Sequence, residues 1–174
     1  MYEDAYSTSW DNLVKGMTTG IFALLVSLIV VFGIVLNSLL FTAALIILFG
    51  SIPSVTFLWA PRGYELYDNL VVVKRPIGDA KIAFAQAASR WKWTWWGLRL
   101  FGSGGLYGYY GIFMFKGIGT VRMHATNRHK LVLVTDVNGR KHLLSPDDPE
   151  RFIQHTQTRF STQTTTLSGS SLRI

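Results

Sequence analysis

The side chains most often used in catalysis are scattered along this chain of 174 residues. The chain has no cysteine, which excludes disulfides, cysteine nucleophiles and thiolate metal sites. It has four histidines, and none has the His-Glu-x-x-His spacing that puts two zinc ligands on one helix face: His124, His129, His142 and His155. We expect them on strand surfaces. The sequence predicts no catalytic residue, no metal site and no cofactor.

Ser145 lies close in sequence to two carboxylates, Asp147 and Asp148, and to His142. These are the residue types of a hydrolase, but the chain has no Gly-x-Ser-x-Gly motif to expose a serine nucleophile. Each of Ser145 and Asp148 precedes a proline, which is typical of a helix start. The sequence therefore predicts Ser145 or Asp148 as a helix N-cap rather than a catalytic residue.

A glycine-rich stretch from Gly102 to Gly111 could offer bare backbone amides to a phosphate. No Gly-Lys-Ser/Thr follows it, and it leads into an aromatic strand where a phosphate loop would need a helix. We therefore do not expect nucleotide binding. Residues 91–111 are predicted to form a long loop that enters a strand near Tyr110, because so many glycines weaken regular structure.

The strongest binding signal is a cluster in which tryptophans alternate with cations. Such a mixture suits a membrane interface, where the rings lie among lipid headgroups and each cation gains about 1 kcal/mol near an anionic surface. The alternative is that some of the tryptophans fill the core from a strand. The candidate interface or partner-binding residues are Trp91, Lys92, Trp93, Trp95, Trp96 and Arg99.

Residues 16–61 contain no Asp, Glu, Lys or Arg, so they set where the rest of the chain lies relative to a membrane. A helix needs roughly 20 apolar residues to cross a bilayer, so this stretch is long enough for two spans. Asn37 and Ser38 lie at its midpoint and predict the tip of a helical hairpin. The first 15 residues are acidic and aromatic, and we expect either an interfacial helix or a disordered segment.

The chain has a formal net charge of +7, and most of its basic residues follow the second span. Arg62, Lys74, Arg75 and Lys81 come within the region that the positive-inside rule counts, so both termini are predicted to face the cytoplasm. The basic residues are spread over nearly every predicted strand and form no stripe. We therefore expect no nucleic-acid partner.

Residues 62–160 are predicted to form one β-rich domain, followed by a disordered tail over 161–174. Short β-branched and aromatic runs indicate about seven antiparallel strands, and the pair Asn138-Gly139 predicts a hairpin turn. A helix that begins near Asp148 and ends at Phe160 closes the domain. The fold class is thus a membrane α-hairpin joined to an antiparallel barrel that one C-terminal helix caps.

Two runs in this region carry a family resemblance: GSGGLYGYYGIF and GTVRMHATNRHKLVLVTDVNGRKHLLSPDDPERF. They are similar to bacterial pleckstrin-homology-like membrane proteins, which combine a short helical hairpin with a PH-like barrel. The shared motifs are turns and caps, so the resemblance implies the fold and transfers no catalytic residue. It also implies a bacterial plasma membrane as the location.

These observations favour a non-catalytic binding or scaffold module that is held on the cytoplasmic face of a membrane. The expected partners are the lipid bilayer and a membrane protein or an anionic lipid. A second hypothesis is an accessory subunit of a larger membrane complex, packed through Gly33, Ala43, Ala44 and Gly50, which allow helices to approach closely. A membrane-bound enzyme is the third, and the sequence offers no connected catalytic set for it.

Overall fold

The protein consists of two long apolar helices, two β-sheets and a C-terminal helix. The structure, a computed structural model, describes residues 4–94 and 97–170. Its elements in chain order are β1 (Asp4–Ser7), α1 (Asn12–Leu36), α2 (Leu39–Trp59), β2 (Gly63–Leu66), β3 (Leu70–Lys74), β4 (Ala80–Ala83), β5 (Ser89–Arg90), β6 (Gly97–Gly104), β7 (Tyr109–Phe115), β8 (Gly119–Ala125), β9 (Val132–Thr135), β10 (Lys141–Leu144) and α3 (Pro149–Ser170).

Helices α1 and α2 are both long and apolar enough to cross a membrane, by length and composition. The chain turns between them where the sequence predicts it. Asn37 adopts a left-handed conformation with a φ of 42°, and its N–H donates to the carbonyl of Gly33. Ser38 then caps α2, since its hydroxyl accepts a hydrogen bond from the Phe41 N–H. Gly33 contacts Thr42 closely enough that an added Cβ would lie 3.2 Å from the threonine hydroxyl.

The N-terminal segment is neither an interfacial helix nor disordered over Asp4–Ser7, which corrects the sequence expectation. These residues form β1 and pair antiparallel with β2, so the helical hairpin is inserted between two neighbouring strands of one sheet. Tyr6 is the reason: its ring is buried and meets Phe152 of α3 edge-on at 5.0 Å. A strand of four residues is too short for its alternation to stand out in the sequence.

The described residues contain ten strands in two sheets, not about seven strands in one antiparallel barrel. The first sheet has the order β1-β2-β3-β4 and the second has the order β5-β9-β10-β8-β7-β6. In this sheet the chain passes from β8 to β9, which lies two positions away. Strand β10 then returns to the position between them and runs parallel to β8. An isolated bridge between Phe84 and Asp136 links the two sheets, and the described residues do not show closure into a barrel.

The glycine-rich region is a hairpin of two long strands, β6 and β7, where the sequence predicts a loop. Gly102 and Gly111 stand opposite each other with φ values of 107° and 119°. A Cβ on Gly102 would lie 2.0 Å from the carbonyl oxygen of Tyr110, so only glycine permits this close approach. The glycines therefore shape a strand pair, with a bulge between Arg99 and Phe101.

Two apolar clusters form the core, one on each face of the second sheet. The first lies between the sheets and includes Phe152 of α3, while the second includes Val14 of α1 and has Trp91 and Trp93 packed against it.

Asp148 is the N-cap of α3, since its carboxylate accepts a hydrogen bond from the Arg151 N–H at 3.0 Å.

Ser145 is not a helix cap. It is buried, and its hydroxyl accepts hydrogen bonds from the backbone N–H groups of Thr126 and Asn127. The turn of Asn138 and Gly139 closes the β9–β10 hairpin, and the Asp136 carboxylate accepts from the N–H groups of Asn138 and Arg140.

Helix α3 continues to Ser170, ten residues beyond the predicted end at Phe160 and into the segment expected to be disordered. Thr, Ser and Gln disfavour a helix only weakly, and a helix that has already begun propagates at little cost. Residues 171–174 of that segment lie outside the described residues.

Candidate binding surface at the helix junction

Asp11 connects the first turn of α1 to the β-domain. Its carboxylate caps the helix by accepting from the Val14 N–H at 2.8 Å, and it accepts from both the N–H and the Nε of Arg128 at 3.1 Å. Tyr109 donates its hydroxyl to the same carboxylate at 3.3 Å. Burial by itself would raise the pKa of Asp11, but the hydrogen bonds from Val14 and Arg128 outweigh it and lower that pKa. The start of α1 is thus fixed to β7 and to the β8–β9 connection.

The turn between β6 and β7 inserts Tyr107 between the two apolar helices. The Tyr107 ring lies 5.2 Å from the ring of Phe57 in α2, 6.2 Å from that of Phe22 in α1 and 5.9 Å from that of Trp10. Its backbone N–H donates to the hydroxyl of Thr18 at 3.1 Å. Tyr107 has a φ of 57°, an uncommon conformation for a side chain of this size. Both helices therefore leave the β-domain at the same end.

Trp91, Lys92 and Trp93 of the predicted tryptophan and cation cluster line one cavity, which we call the tryptophan pocket. It has a volume of about 490 Å³ and is lined by Arg90, Trp91, Lys92, Trp93, Arg128 and His129. Trp93 packs against Tyr109 and Phe115 at 5.4 and 5.3 Å between ring centroids, so it belongs partly to the core. Lys92 is exposed.

The other three residues of the predicted cluster are Arg99, Trp95 and Trp96. Arg99 is exposed on β6 and does not line this cavity. Trp95 and Trp96 lie outside the described residues. The structure thus brings together Trp91, Lys92 and Trp93 with Arg90, a cation of the same tryptophan-rich run, and it adds Arg128 and His129 from the β8–β9 connection.

A second cavity, which we call the arginine pocket, lies on the opposite face of the second sheet beside the end of α2. It has a volume of about 250 Å³, and its lining includes Trp59, Arg75, Phe101, Ile112, Arg122 and His124. The Arg75 guanidinium contacts the Nδ1 atom of His124 at 2.7 Å. The Nε atom of Arg75 is buried without a hydrogen-bond partner among the described residues. Burial lowers the pKa of Arg75.

His124 and His142 are buried, which corrects the expectation that the histidines lie on strand surfaces. Their rings stack at 5.8 Å between centroids. Burial, and then the nearby charge of Arg75, hold the pKa of His124 well below 6.5, so this ring is neutral at pH 7. A neutral His124 accepts from Arg75 through Nδ1 and supplies no charge to balance it. Within residues 4–94 and 97–170, no three His, Asp or Glu side chains gather in a metal-binding group.

A family model described as bacterial PH domain matches residues 62–160, which is more than half of the chain. The chain belongs to the bacterial PH domain family. No curated protein and no solved structure matches the chain. The family match confirms the PH-like resemblance that the sequence motifs indicated. It begins after α2, so β1 and the two apolar helices lie outside the matched part of the PH domain.

The PH domain has an open apolar surface next to the arginine pocket, which we call the open face. Pairing across β6, β7 and β8 puts Leu98 beside Met114 and Phe101 beside Ile112, and Ile112 beside Arg122. Leu98 and Phe101 are 61% and 65% exposed, unusually high for apolar residues in paired strands. A shallow cavity of about 440 Å³ continues from Ile112 and Arg122 to Arg140 and Lys141.

Sequence reasoning missed the arginine pocket because its residues come from five separate segments of the chain: the end of α2, the β3–β4 turn, β6, β7 and β8. In the sequence Arg75 indicated membrane orientation and belongs to a basic stretch too thin to predict a phosphoinositide site, and Arg122 and His124 lie in an ordinary strand. The local signal was the alternation in β8, where Arg122 is exposed between buried neighbours. Nothing in the sequence indicates that Trp59 and Arg75 line one cavity with it.

Proposed function

We propose that this PH-domain protein is a non-catalytic binding module anchored in a bacterial plasma membrane by α1 and α2. In this proposal both termini and the β-domain lie on the cytoplasmic side, and the hairpin tip at Ser38 reaches the other side. The module recognises a component of the membrane, either a protein partner or an anionic lipid. PH-like domains are typically binding modules, which supports a role without chemistry.

The observation that carries the proposal is the rigid attachment of the β-domain to both apolar helices. Asp11 holds the start of α1 through Arg128 and Tyr109, and the Tyr110 hydroxyl donates to the Thr56 carbonyl near the end of α2 at 2.6 Å. A flexible linker would let the domain rotate freely, whereas these contacts hold one end of the domain against the helices. In a membrane, the same surfaces would always face the headgroups.

The positions of the cationic residues support the cytoplasmic orientation. The first four basic residues that follow α2 are Arg62, Lys74, Arg75 and Lys81, as the positive-inside rule requires for the cytoplasmic side. The tryptophan pocket, with Lys92 and Arg128, lies close to the start of α1, because Arg128 binds the cap residue Asp11. Contact of Trp91, Trp93 and Lys92 with headgroups or a partner is part of this proposal.

Cysteine labelling tests the location, since the natural chain contains no cysteine. We expect Ser38→Cys at the hairpin tip to react with a membrane-impermeant maleimide in intact cells. Lys116→Cys in the exposed β7–β8 turn should react only after permeabilisation. Labelling of the Lys116→Cys variant in intact cells, or removal of the chain from membranes by alkaline carbonate, would contradict the proposal.

A second candidate is an accessory subunit whose helices pack against other membrane proteins. Gly33 already contacts Thr42 within the hairpin, but nothing lies within 4 Å of an added Cβ at Gly50. Gly50 is therefore free to receive a neighbouring helix. Purification in mild detergent distinguishes the two: a stoichiometric companion protein that Gly50→Leu releases supports the subunit, and a monomer with bound anionic lipid supports the lipid-binding module.

A further inference from the structure

The open face leaves apolar side chains of the second sheet uncovered. Leu98 and Phe101 of β6 are 61% and 65% exposed, and Met114 of β7 is 41% exposed. Ile112, which pairs with Phe101, is partly exposed. The part of the same face that β9 and β10 form is covered by the first sheet and α3. A sheet buries its apolar face against another layer, so an uncovered patch in paired strands indicates contact with another molecule.

The strands of the open face lead away from the apolar helices. Tyr109 of β7 donates to Asp11 at the start of α1, and Thr18, about two turns further into that helix, contacts Tyr107 in the β6–β7 turn. Strand β7 therefore runs out from the helices after Tyr109. Met114 lies about 16 Å further along it at the spacing of a strand. With α1 in a membrane, as proposed, this end of the sheet faces water, and a bilayer does not cover it.

The open face belongs to the most basic part of the chain. Residues 80–135 contain eight Lys and Arg and no Asp or Glu, and they include all of β6, β7 and β8. The shallow cavity next to the open face is lined by Arg122, Arg140 and Lys141 and by no acidic residue. Arg122 and Arg140 are exposed, and neither forms a salt bridge among the described residues. Both guanidinium groups are open to a partner.

This charge decides which class of partner fits. A second copy of the chain would bring its own Arg122 and Arg140 to the interface, and like charges across an interface oppose association. A nucleic acid needs a stripe of cations, whereas here an apolar centre separates β6 from the cations. The complementary surface has apolar side chains with carboxylates beside them, which is the composition of an amphipathic protein segment.

Resting on the proposed function, we propose that the open face binds an amphipathic acidic segment of a protein partner. The apolar side chains of β6 and β7 receive the apolar residues of the segment, and Arg122 and Arg140 bind its carboxylates. Guanidinium groups suit this role because each can donate two hydrogen bonds to one carboxylate. Strand β6 is the outermost strand of its sheet, so the segment can extend past that edge. The helices hold this surface at the membrane, where it meets the partner.

Peptide display tests the proposal directly, with the full-length chain in mild detergent as the target for a library of random peptides. We expect the enriched peptides to combine aromatic or aliphatic residues with several Asp or Glu residues. A version of the best peptide in which every Asp becomes Asn and every Glu becomes Gln should bind at least about tenfold more weakly. Added salt should weaken the acidic peptide more than this neutral control.

Variants of the chain locate the binding site. Phe101→Ser, and separately Arg122→Gln combined with Arg140→Gln, should each weaken the selected peptide by about tenfold or more. Ile77→Ser is the matched apolar control, because Ile77 is 57% exposed in the turn between β3 and β4 of the first sheet. Lys81→Gln on β4 is the charge control. Both controls should bind the peptide as the natural chain does.

Thermal unfolding separates a docking role from a structural one. Phe101 is mostly exposed, so without peptide the melting temperature of Phe101→Ser should stay within about 2 °C of that of the natural chain. The selected peptide should raise the melting temperature of the natural chain and leave that of Phe101→Ser unchanged. Leu98→Ser provides an independent change, and it should also weaken the peptide at an unaltered melting temperature. Weaker binding only in variants with a lowered melting temperature would overturn the proposal.

The remaining outcomes are equally decisive. Enrichment of neutral or basic peptides would overturn the proposal, as would equal affinity in the natural chain, Phe101→Ser and the double arginine variant. A dimer in native mass spectrometry that Phe101→Ser dissociates would also overturn it, because a second copy would then cover the open face. Cysteine labelling that confirms the membrane topology, combined with any of these results, would refute only the docking surface and leave the proposed function standing.

Discussion

The tryptophan pocket and the arginine pocket lie on opposite faces of the same sheet, yet their arginines have opposite surroundings. Arg128, beside the tryptophan pocket, meets the Asp11 carboxylate at 3.1 Å and is close to the rings of Trp93 and Tyr109. Arg75, in the arginine pocket, meets a neutral histidine. The first arginine forms a salt bridge with a buried carboxylate, and the second forms none among the described residues, although the charge of Asp79 acts on it.

This difference separates an arginine that attaches α1 to the β-domain from one that forms no salt bridge among the described residues. A cation that is already paired with a buried carboxylate gains little from a ligand, because binding would have to break that pair. A half-buried cation without a counter-ion gains from any anion that reaches it. The tryptophan pocket attracted attention in the sequence, but its Arg128 already holds the start of α1 in place, whereas the Arg75 guanidinium contacts the ring of His124.

Removing the carboxylate that balances Arg128 should have the largest effect. Asp11→Asn leaves a partly buried guanidinium without its partner, so we expect the free energy of unfolding to fall by about 3 kcal/mol or more. Denaturant unfolding followed by circular dichroism in detergent measures this loss. Glu150→Gln, which alters an exposed ion pair with Arg90, is the matched control and should change stability by less than about 1 kcal/mol.

Replacing each arginine with methionine tests the comparison directly, because the two changes should have opposite signs. Arg128→Met strands the buried Asp11 carboxylate and should lower stability by about 2–3 kcal/mol. Arg75→Met strands no charge and should raise lipid-free stability by about 1 kcal/mol. Both are measured by the same unfolding experiment. Losses of similar size in the two variants would show that the two arginines have equivalent structural roles.

Tyr107 also attaches the β-domain to both helices, and we expect it to contribute less than the Asp11–Arg128 pair. Tyr107→Ala removes the ring between Phe22 and Phe57, at a cost of about 1–2 kcal/mol, and should make the β6–β7 turn easier for a protease to cut. Tyr107→Phe keeps the ring and serves as the control. Equal protease resistance in all three proteins would mean that the ring does not hold the helices.

Acidification should destabilise the two regions in different pH ranges. His124 has a folded pKa well below 6.5, so the unfolded chain takes up a proton first and stability falls as the pH drops below about 6.5. The expected loss is about 1 kcal/mol between pH 6.5 and 5.5. The carboxylate of Asp11 also has a lowered pKa, so its contribution is present above pH 4 and is lost only in stronger acid.

Unfolding at a series of pH values, compared between variants, checks this assignment. His124→Gln should flatten the decline between pH 6.5 and 5.5, and the buried His142, whose pKa is also lowered mainly by burial, accounts for the remainder. His129→Gln changes an exposed residue that lines the tryptophan pocket and should leave the decline unchanged. A decline that persists fully in His124→Gln would place the titrating group elsewhere.

The sequence alone determined the elements that depend on local chemistry. The uncharged stretch over 16–61 specified two apolar helices. Neither helix has a polar stripe, and this absence can be read from the sequence without knowing which segments lie nearby. Asn37 and Ser38 marked the turn between them, and Asp148 and Asn138-Gly139 marked a cap and a hairpin, since each works through its own backbone. The order of these turns was also enough to indicate the PH-like family, which the family match confirms.

Tertiary structure decided whatever depends on residues that are distant in the chain. Asp4–Ser7 became a strand because β2, almost sixty residues later, offers an edge and α3 offers Phe152 to pack on Tyr6. The glycine-rich segment became a hairpin because Gly102 and Gly111 meet across it. The Arg128 guanidinium meets the Asp11 carboxylate and that of Arg75 meets the ring of His124, and no sequence pattern records either contact, because the surroundings of a side chain are set by its neighbours in space.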